Sequence, residues 1–234
     1  MDSINKQKSF TIISIEGNIG SGKSTLLKHL KEYIETQDDK INIDLNSKII
    51  FLKEPVDEWN DIKDSNNKTM LEKFYANQNK YSFAFQMMAY ISRLVNLKNI
   101  IDTNNNVIII TERSLYTDKD VFAKMLFDNN KIEDVEYQIY LKWFDAFADD
   151  YPINKIIYIN AEPKICYDRI AIRHRQGEDK IPIEYLIKCH NYHNDMIEKY
   201  KQCNQLILDG NIDIKHNTEQ LNIWICKILS FISN

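Results

Sequence analysis

A phosphate-binding loop constrains the fold of this chain more than any other stretch of its sequence. Residues 14–25 read SIEGNIGSGKST, and the pattern G-x-x-x-x-G-K-S is met by Gly17, Gly22, Lys23 and Ser24. The run before the loop, FTIISI, is typical of a buried strand, and the residues after the loop follow a helical period. A strand, this loop and a helix in that order place backbone N–H groups around phosphate oxygens. We therefore expect an α/β protein that binds the phosphates of ATP or GTP.

The loop residues have different tasks in holding phosphate. The glycines let the backbone approach, Lys23 supplies a cation for the terminal phosphates, and the Ser24 hydroxyl is placed to meet a magnesium ion. We expect contacts with the bound nucleotide from Gly17, Asn18, Ile19, Gly20, Ser21, Gly22, Lys23, Ser24 and Thr25. Such loops occur in motors, switches, transporters and kinases, so the rest of the chain must decide the function.

Short β-branched runs alternate with segments of helical period along the chain. The runs lie at 10–15, 48–52, 106–111, 155–159 and 205–209. Helical patterns cover 24–35, 81–101, 133–149, a segment entered through Pro182, and 218–232. Each run is nearly all apolar, as expected of a strand buried on both faces. We predict a five-stranded parallel sheet covered by helices on both faces, in one domain spanning residues 1–234, with ligands at the carboxyl ends of the strands.

Composition and charge argue against several classes of protein. The 234 residues are 44% hydrophobic, which suffices for a full core. With 30 basic and 34 acidic residues the net charge is -4, a poor match to duplex nucleic acid. The four cysteines form no C-x-x-C pair, and no apolar segment is long enough to span a bilayer. We expect a cytoplasmic protein that binds neither nucleic acid nor membrane.

Charged residues end the second and third predicted strands. The second ends in FLKEPV, which leaves Glu54 at its carboxyl end, and the third ends in TERS, which places Glu112 and Arg113 there. A single glutamate at a strand end is as often merely solvated. Two carboxylates beside one phosphate loop indicate catalysis, because one can hold magnesium while the adjacent guanidinium binds a phosphate or the reacting oxygen.

A basic segment, CYDRIAIRHRQGED, follows the fourth predicted strand. Arg169 and Arg173 lie one helical turn apart, and Arg175 follows just before Gly177. Three arginines that converge on such a turn repel one another unless an anion lies between them. A mobile lid closing over a transferring phosphoryl group would supply that anion and exclude water. The alternative interpretation is a basic surface helix.

Polar residues at helical spacing suggest a pocket for a nucleobase. Gln86 and Arg93 are seven residues apart on the long helix and so share a face, and Asp118 and Phe122 are four apart on the next. The aromatic side chains that would stack on the base are Trp59, Phe85 and Phe122. By periodicity alone, however, the two phenylalanines suit the core, and the glutamine and the first arginine suit the surface.

With these residues in place, the sequence resembles the deoxyribonucleoside kinase family, on the branch that contains deoxycytidine and deoxyguanosine kinases. The resemblance covers nearly the whole chain, through the loop and the stretches EPVDEW, KYSFAFQ, SRL, ERSLYTD and IPIEYL. It implies the P-loop kinase fold with an arginine-rich lid at about 169–180. It also implies a nucleotide-salvage enzyme that transfers the γ-phosphate of ATP, or of another nucleoside triphosphate, to the 5'-hydroxyl of a deoxynucleoside.

The resemblance implies roles at the reacting end of the site. Glu54 would be the general base that takes the proton of the 5'-hydroxyl, with Arg113 close to that oxygen. Glu112 would help Ser24 to place Mg²⁺. The arginines that would close on the donor phosphates are Arg169, Arg173 and Arg175.

The resemblance also implies roles on the acceptor side. Gln86 would bind the base edge, Arg93 and Asp118 would pair at the far end of the pocket, and Phe122 and Trp59 would wall the ring. The residues that would hold the 3'-hydroxyl are Tyr75 and Glu178.

Three other classes of protein fit the sequence less well. A nucleoside monophosphate kinase such as thymidylate kinase shares the fold, but typically has an arginine directly before the EP pair, where this chain has Lys53. A GTPase switch would be expected to carry N-K-x-D after a strand, whereas Asn154 and Lys155 precede a strand and lack the Asp. A binding module without catalysis would not need Glu54 together with three lid arginines.

Base preference and assembly follow from the resemblance only in outline. Arg93 with Asp118 resembles the branch that accepts deoxycytidine and purine deoxynucleosides, and the small Ala89 is compatible with either. We expect deoxyadenosine or deoxyguanosine first, deoxycytidine next and thymidine least.

The helices at 81–101 and 133–149 carry more aromatic surface than one face of a monomer needs, at Tyr90, Tyr140, Trp143 and Phe147. The family commonly pairs such helices, which implies a homodimer, and feedback inhibition by the end-product deoxynucleoside triphosphate is likewise implied.

Overall fold

The five predicted strands form one parallel sheet. The computed structural model describes residues 9–36, 48–173, 175, 178 and 181–233. The strands are β1 (Ser9–Gly17), β2 (Lys48–Leu52), β3 (Asn106–Glu112), β4 (Lys155–Asn160) and β5 (Asn204–Asp209), in the spatial order β2-β3-β1-β4-β5. Every strand pairs in parallel with its neighbours, so all five end at the same edge. The predicted α/β fold is confirmed.

The central strand β1 brings the phosphate-binding loop beside the ends of its neighbours. Ile15 lies opposite Glu112 of β3, and Gly17 lies opposite Ile159 of β4. The chain leaves β1 at Gly17 and enters the loop there. The register therefore places the carboxylate at the end of β3 next to the start of the loop.

Helices connect the strands. In the described residues they are α1 (Lys23–Thr36), α2 (Val56–Asp61), α3 (Met70–Ala76), α4 (Gln78–Thr103), α5 (Leu115–Thr117), α6 (Lys124–Asp128), α7 (Asp134–Phe147), α8 (Pro163–Arg173), α9 (Ile183–Lys199) and α10 (Thr218–Ser233). A π-helical segment, Asp118–Ala123, joins α5 to α6, and a 3₁₀ turn, Ala148–Asp150, follows α7. The long helices match the predicted ones, with Pro182 as the N-cap residue of α9. No helix of the described chain has the length and apolar character that crossing a membrane requires.

Two apolar clusters cover the sheet, one on each face. Successive residues of β1 point to opposite faces, so Ile13 and Ile15 join the cluster beneath α1 and α10, while Ile12 joins the cluster beneath α4 and α7. The predicted stripe of α10 packs as expected, with Trp224 and Ile228 in the first cluster. Both faces of the sheet are therefore covered.

Tyr90 and Tyr140 lie inside the second cluster. Both side chains are fully buried, and their ring centroids are 5.7 Å apart. The expectation that they add to a surplus of exposed aromatic surface is therefore wrong, because α4 and α7 meet through these rings. Trp143 and Phe147 of α7, in contrast, are 48% and 38% exposed.

Candidate active site

Close packing excludes a side chain at two glycines of the phosphate-binding loop, Gly17 and Gly20. Gly17 has a φ of +145° and Gly20 a φ of +79°, conformations that side-chain-bearing residues rarely adopt. A Cβ on Gly20 would lie 2.5 Å from the carbonyl oxygen of Cys166, and one on Gly17 would lie 2.7 Å from that of Ile159. The loop is therefore packed closely against α8 and β4, which fix its shape.

Most of the predicted loop residues line one cavity of about 1100 Å³. Those that line it are Ile19, Gly20, Ser21, Gly22, Lys23, Ser24 and Thr25. Asn18 is buried behind the loop instead, and its Nδ2 donates a hydrogen bond to the carbonyl oxygen of Leu186 at 2.9 Å. Asn18 thus ties the loop to α9.

Lys23 is buried at the start of α1 and folded back onto the loop. Its Nζ donates to the carbonyl oxygens of Gly17 at 3.0 Å and of Asn18 at 2.7 Å. Burial and, after it, the charge of Arg113 lower the pKa of Lys23 to about 7. Phosphate oxygens in the cavity would raise this pKa and hold the lysine in its cationic form.

Ser24 and Glu112 meet on the wall of the cavity. The hydroxyl, at the start of α1, donates to Oε1 of the carboxylate, at the end of β3, over 2.6 Å. Mg²⁺ prefers oxygen ligands and is commonly bound by one or two protein groups together with substrate phosphates and water. These two side chains therefore fit the magnesium ligands that the sequence predicts.

Glu54 lies just beyond β2, between two arginines. Its Oε1 is 3.1 Å from Nε of Arg113 and 3.5 Å from Nη2 of Arg93. Burial would raise the pKa of Glu54, but the charges of Arg113 and then Arg93 outweigh burial and hold the pKa below its usual 4.5. The side chain is 19% exposed and lines the cavity, so an ionised carboxylate faces the ligand space.

Arg113 is held by groups from several elements. It follows β3 directly and has a left-handed backbone with a φ of +66°. Its Nη1 donates to the carbonyl oxygen of Gly17 at 2.9 Å and lies 3.2 Å from Nε2 of His193. Its Cζ lies 4.8 Å from the ring centre of Phe122, a cation–π contact. The guanidinium therefore has a defined place between the phosphate loop, Glu54 and the aromatic wall.

Arg93 and Asp118 form a buried pair. Nε of the arginine donates to Oδ2 of Asp118 at 2.8 Å and Nη2 donates to Oδ1 at 3.3 Å, while Nη1 donates to the carbonyl oxygen of Glu112 at 2.7 Å. Arg93 is 1% exposed and Gln86, on the same helix, is 2% exposed. Both residues therefore lie on the buried face of α4, and the surface interpretation from periodicity does not hold.

Aromatic side chains line the other end of the cavity. Trp59 and Phe85 meet edge to face with centroids 5.5 Å apart, and Phe85 stacks on Phe74 at 4.5 Å. Nε1 of Trp59 donates to Oγ of Ser92 at 2.9 Å, which fixes the indole. The predicted residues that line this end are Trp59, Tyr75, Phe85, Gln86, Ala89, Asp118, Phe122 and Glu178. Phe85 is thus both a core residue and part of the cavity wall.

Arg169 joins two loops at the phosphate end of the cavity. It donates to the carbonyl oxygen of Ser21 at 3.3 Å, and to those of Gly210 at 2.8 Å and Ile212 at 3.2 Å. The first is in the phosphate loop and the other two follow β5. Arg169 therefore holds the segment after β5 against the phosphate loop.

Arg173 and Arg175 are paired with Glu178. Arg173 forms a hydrogen-bonded ion pair with this carboxylate, and Nη1 of Arg175 lies 3.1 Å from its Oε1. Glu178 thus balances positive charge that, from the sequence, we expect a bound anion to balance. Within the predicted lid, Gly177 and residues 174, 176, 179 and 180 lie outside the described residues.

Sequence reasoning missed Phe74, Tyr185 and His193. Phe74 and Tyr185 line the cavity, and His193 contacts Arg113. Phe74 and His193 lie on helices where they read as ordinary core residues, and 80 positions separate His193 from its partner. Of the three, only Tyr185 could have been found from the sequence, because it lies within IPIEYL, one of the stretches that carry the resemblance.

Comparison with known proteins identifies the family to which the chain belongs. A family model described as deoxynucleoside kinase matches residues 13–233. The chain is 31% identical to a deoxycytidine kinase of Homo sapiens over 250 residues, which cover 94% of this chain and 90% of that protein. It is 32% identical to a probable deoxycytidine kinase of fowlpox virus over 228 residues, 94% of this chain and 88% of that protein. The predicted enzyme, a kinase that transfers phosphate from a nucleoside triphosphate, is confirmed, and the chain belongs to the deoxynucleoside kinase family.

Proposed function

We propose that Glu54 is the general base in phosphoryl transfer to the 5'-hydroxyl of a deoxynucleoside. One observation carries this proposal: a single cavity is lined by the phosphate loop, by Glu54 and Arg113, and by the aromatic pocket. Arg113 contacts both ends, through Gly17 of the loop and Phe122 of the pocket. A hydroxyl bound beside Arg113 would reach the ionised carboxylate of Glu54. A primary alcohol is a weak nucleophile, so a carboxylate that accepts its proton late in transfer lowers the barrier.

Cations of the chain would stabilise the charge that moves during transfer. Lys23 lines the cavity from the loop, and Arg113 lines it from the end of β3. Arg173 and Arg175 line the same cavity and pair with the side chain of Glu178. Because this partner is a side chain and not the backbone, both arginines could exchange it for a phosphate. Turned toward the phosphates, they would add to the charge stabilisation on which phosphoryl transfer mainly depends.

We propose Mg²⁺ as the cofactor, held by Ser24 directly and by Glu112 directly or through water. The 2.6 Å separation of their oxygens and their place on the cavity wall support this assignment. A magnesium ion held by these residues would supply positive charge that offsets part of the phosphate charge. The protein's part is to present both oxygens where the loop holds the phosphates.

Deoxycytidine and the purine deoxynucleosides are the proposed acceptors, with thymidine least favoured. Arg93 holds Asp118 with both carboxylate oxygens engaged, and Asp118 still lines the cavity. A carboxylate accepts hydrogen bonds from the amino groups of cytosine and the purines, whereas thymine carries no amino group. The relatives named as deoxycytidine kinases support deoxycytidine among these acceptors.

Tyr75 and Glu178 are proposed to hold the 3'-hydroxyl of the sugar. Both line the cavity, and Glu178 is 5% exposed. A sugar hydroxyl that donates to Glu178 would share the carboxylate with Arg173 and Arg175. Binding of the deoxynucleoside would then weaken the ion pairs of Arg173 and Arg175 with Glu178, and the two arginines could turn toward the phosphates.

An apolar surface on α4 and α7 supports a homodimer. Exposed apolar side chains recur every four residues, at Ile91 and Val95 on α4 and at Val135, Ile139, Trp143 and Phe147 on α7. The rings of Trp143 and Phe147 stack in parallel, with centroids 6.2 Å apart. Such a surface is typical of a protein–protein interface, and we propose that it pairs with its copy in a second chain.

The same cavity supports feedback by a deoxynucleoside triphosphate. The base of the triphosphate would occupy the acceptor pocket, and its phosphates would reach back to the phosphate loop, since one cavity includes the pocket and the loop. Such an inhibitor would compete with both substrates.

A steady-state assay tests the proposed function. The protein is incubated with ATP, Mg²⁺ and each of the four deoxynucleosides, and ADP release is measured. We expect release that depends on the deoxynucleoside and is slowest with thymidine. Release at one rate with or without any deoxynucleoside would contradict the acceptor assignment, and thymidine as the best substrate would reject the base-pocket argument.

A further inference from the structure

His193 is a buried histidine behind the reacting end of the site. It lies on α9 and is 0% exposed. Its ring is nearly parallel to that of Tyr158 of β4, with centroids 6.4 Å apart, and meets Phe122 edge-on at 6.0 Å. These contacts hold the imidazole in one orientation.

The hydrogen bonds of His193 determine which ring nitrogen carries the proton. Nδ1 lies 2.6 Å from the carbonyl oxygen of Cys189, which can only accept, so Nδ1 donates. Burial and, after it, the charge of Arg113 lower the pKa of His193 well below 6.5. The imidazole is therefore neutral, and Nε2 keeps its lone pair.

The lone pair of Nε2 is directed at Arg113. Nε2 lies 3.2 Å from Nη1 of the guanidinium, a group that only donates. Nη1 also donates to the carbonyl oxygen of Gly17 at 2.9 Å, and Nε donates to Glu54 at 3.1 Å. Both hydrogens of Nη1 thus have acceptors on the protein. Because the guanidinium is planar, these two acceptors fix its plane and so the direction in which Nε donates to Glu54.

We propose that His193 is a positioning residue for phosphoryl transfer: it accepts a hydrogen bond from Arg113 and thereby holds the guanidinium against the carboxylate of Glu54. The proposal rests on the proposed function of Glu54 and Arg113. Without this acceptor, Nη1 keeps, among the described residues, only the Gly17 carbonyl, and the guanidinium can tilt away from Glu54. Small displacements of groups at the reacting centre reduce turnover far more than they weaken ground-state binding.

Two substitutions separate the hydrogen bond from the packing. His193→Leu removes the acceptor and keeps an apolar side chain, whereas His193→Gln keeps an acceptor oxygen within reach of Nη1. We expect kcat to fall about 10- to 100-fold in His193→Leu, with KM for the deoxynucleoside changed by less than about threefold. His193→Gln should restore most of the lost kcat. If His193→Leu does not fold, His193→Asn replaces it, because the shorter side chain cannot reach Arg113.

Tyr158→Phe provides a matched control. It leaves the neighbouring ring in place and removes only the hydroxyl hydrogen bond to Oδ1 of Asn194, which is 2.8 Å long. Its kcat should equal that of the unmodified protein. A loss of kcat in Tyr158→Phe as large as in His193→Leu would show that a change beside His193 lowers kcat without removing its hydrogen bond to Arg113, and would overturn the proposal.

A double-mutant cycle with Arg113→Lys tests the route through Arg113. Lysine lacks Nη1, so His193→Leu should cost little further kcat in the Arg113→Lys background. Fully additive losses, or equal losses in His193→Leu and His193→Gln, would overturn the proposal. The role of Glu54 is tested separately, by the Glu54→Gln variant. Unchanged turnover in that variant would remove Glu54 from catalysis, whereas the coupling of His193 to Arg113 is measured by the double-mutant cycle in either case.

Discussion

Nε of Arg113 lies 3.1 Å from Oε1 of Glu54, and the two residues follow neighbouring strands of the sheet. The pair presents an ionised carboxylate to the cavity beside the phosphate loop. Glu54→Gln keeps the shape of this side chain and removes the base. We expect kcat to fall by roughly 10²-fold or more, with deoxynucleoside binding nearly intact, as measured by initial rates and calorimetry.

Glu58→Gln is the control for this variant, because Glu58 is an exposed residue of the adjoining helix α2. It should keep the turnover of the unmodified protein. Unchanged turnover in Glu54→Gln would exclude Glu54 as the base.

The pKa of Glu54 predicts the acidic side of the pH profile. Burial acts to raise this pKa, but Arg113 and Arg93 lower it more, to below 4.5. The carboxylate therefore stays ionised as the pH falls, and it gains its proton, and loses its function as a base, only below that value. With saturating substrates, the contribution of Glu54 to kcat should be constant from about pH 8 to about pH 5. A fall of kcat with a midpoint at about pH 6 that disappears in Glu54→Gln would show instead that burial has the larger effect on the pKa of Glu54.

Arg173 tests the lid. It is paired with Glu178 in the structure and lines the cavity. Removal of its charge in Arg173→Ala should lower kcat by about 10-fold or more and change the affinity for the deoxynucleoside less, because we propose that the guanidinium acts on the transferring phosphate. Lys164→Ala, an exposed change on the same helix, should have no effect. A variant that loses affinity but keeps kcat would assign Arg173 to the acceptor.

Trp143 tests the proposed dimer. Its side chain is 48% exposed in the apolar surface of α7. A charge introduced there by Trp143→Glu should convert the dimer to a monomer, because burying an unpaired carboxylate in an apolar interface is costly. Light scattering after size-exclusion chromatography measures the mass directly. Ile223→Glu, on an exposed apolar residue of α10, should leave the dimer intact. A monomeric unmodified protein would reject the proposed interface.

The fold was predictable because its signals are local. Each strand is a short apolar run, and the phosphate loop follows the first run directly, within the stretch SIEGNIGSGKST. The helices α2 and α3, with six and seven residues, are too short for a helical period to show. Their aromatic residues Trp59, Phe74 and Tyr75 still wall the cavity, because the chain after β2 folds over α4.

The site was less predictable where its contacts are distant along the chain. The buried pairing of Arg93 with Asp118 cannot be inferred from helical period, since the same spacing also fits a solvated face. Arg113 takes a left-handed backbone that no residue type in TERS requires. The pairing of Glu178 with Arg173 and Arg175 also escaped prediction, because repulsion among arginines indicates an anion without telling whether the protein supplies it.

The order of the strands gives the two halves of the site unequal resistance to local unfolding. The phosphate loop leaves β1, which is hydrogen-bonded on both sides, whereas Glu54 follows β2 at the edge of the sheet, and the short helices α2 and α3 come after it. Segments with fewer neighbours open at lower free energy, so amide hydrogens of α2 and α3 should exchange with solvent long before those of β1. We therefore expect the wall of the cavity formed by α2 and α3 to open locally while the phosphate loop keeps its native shape.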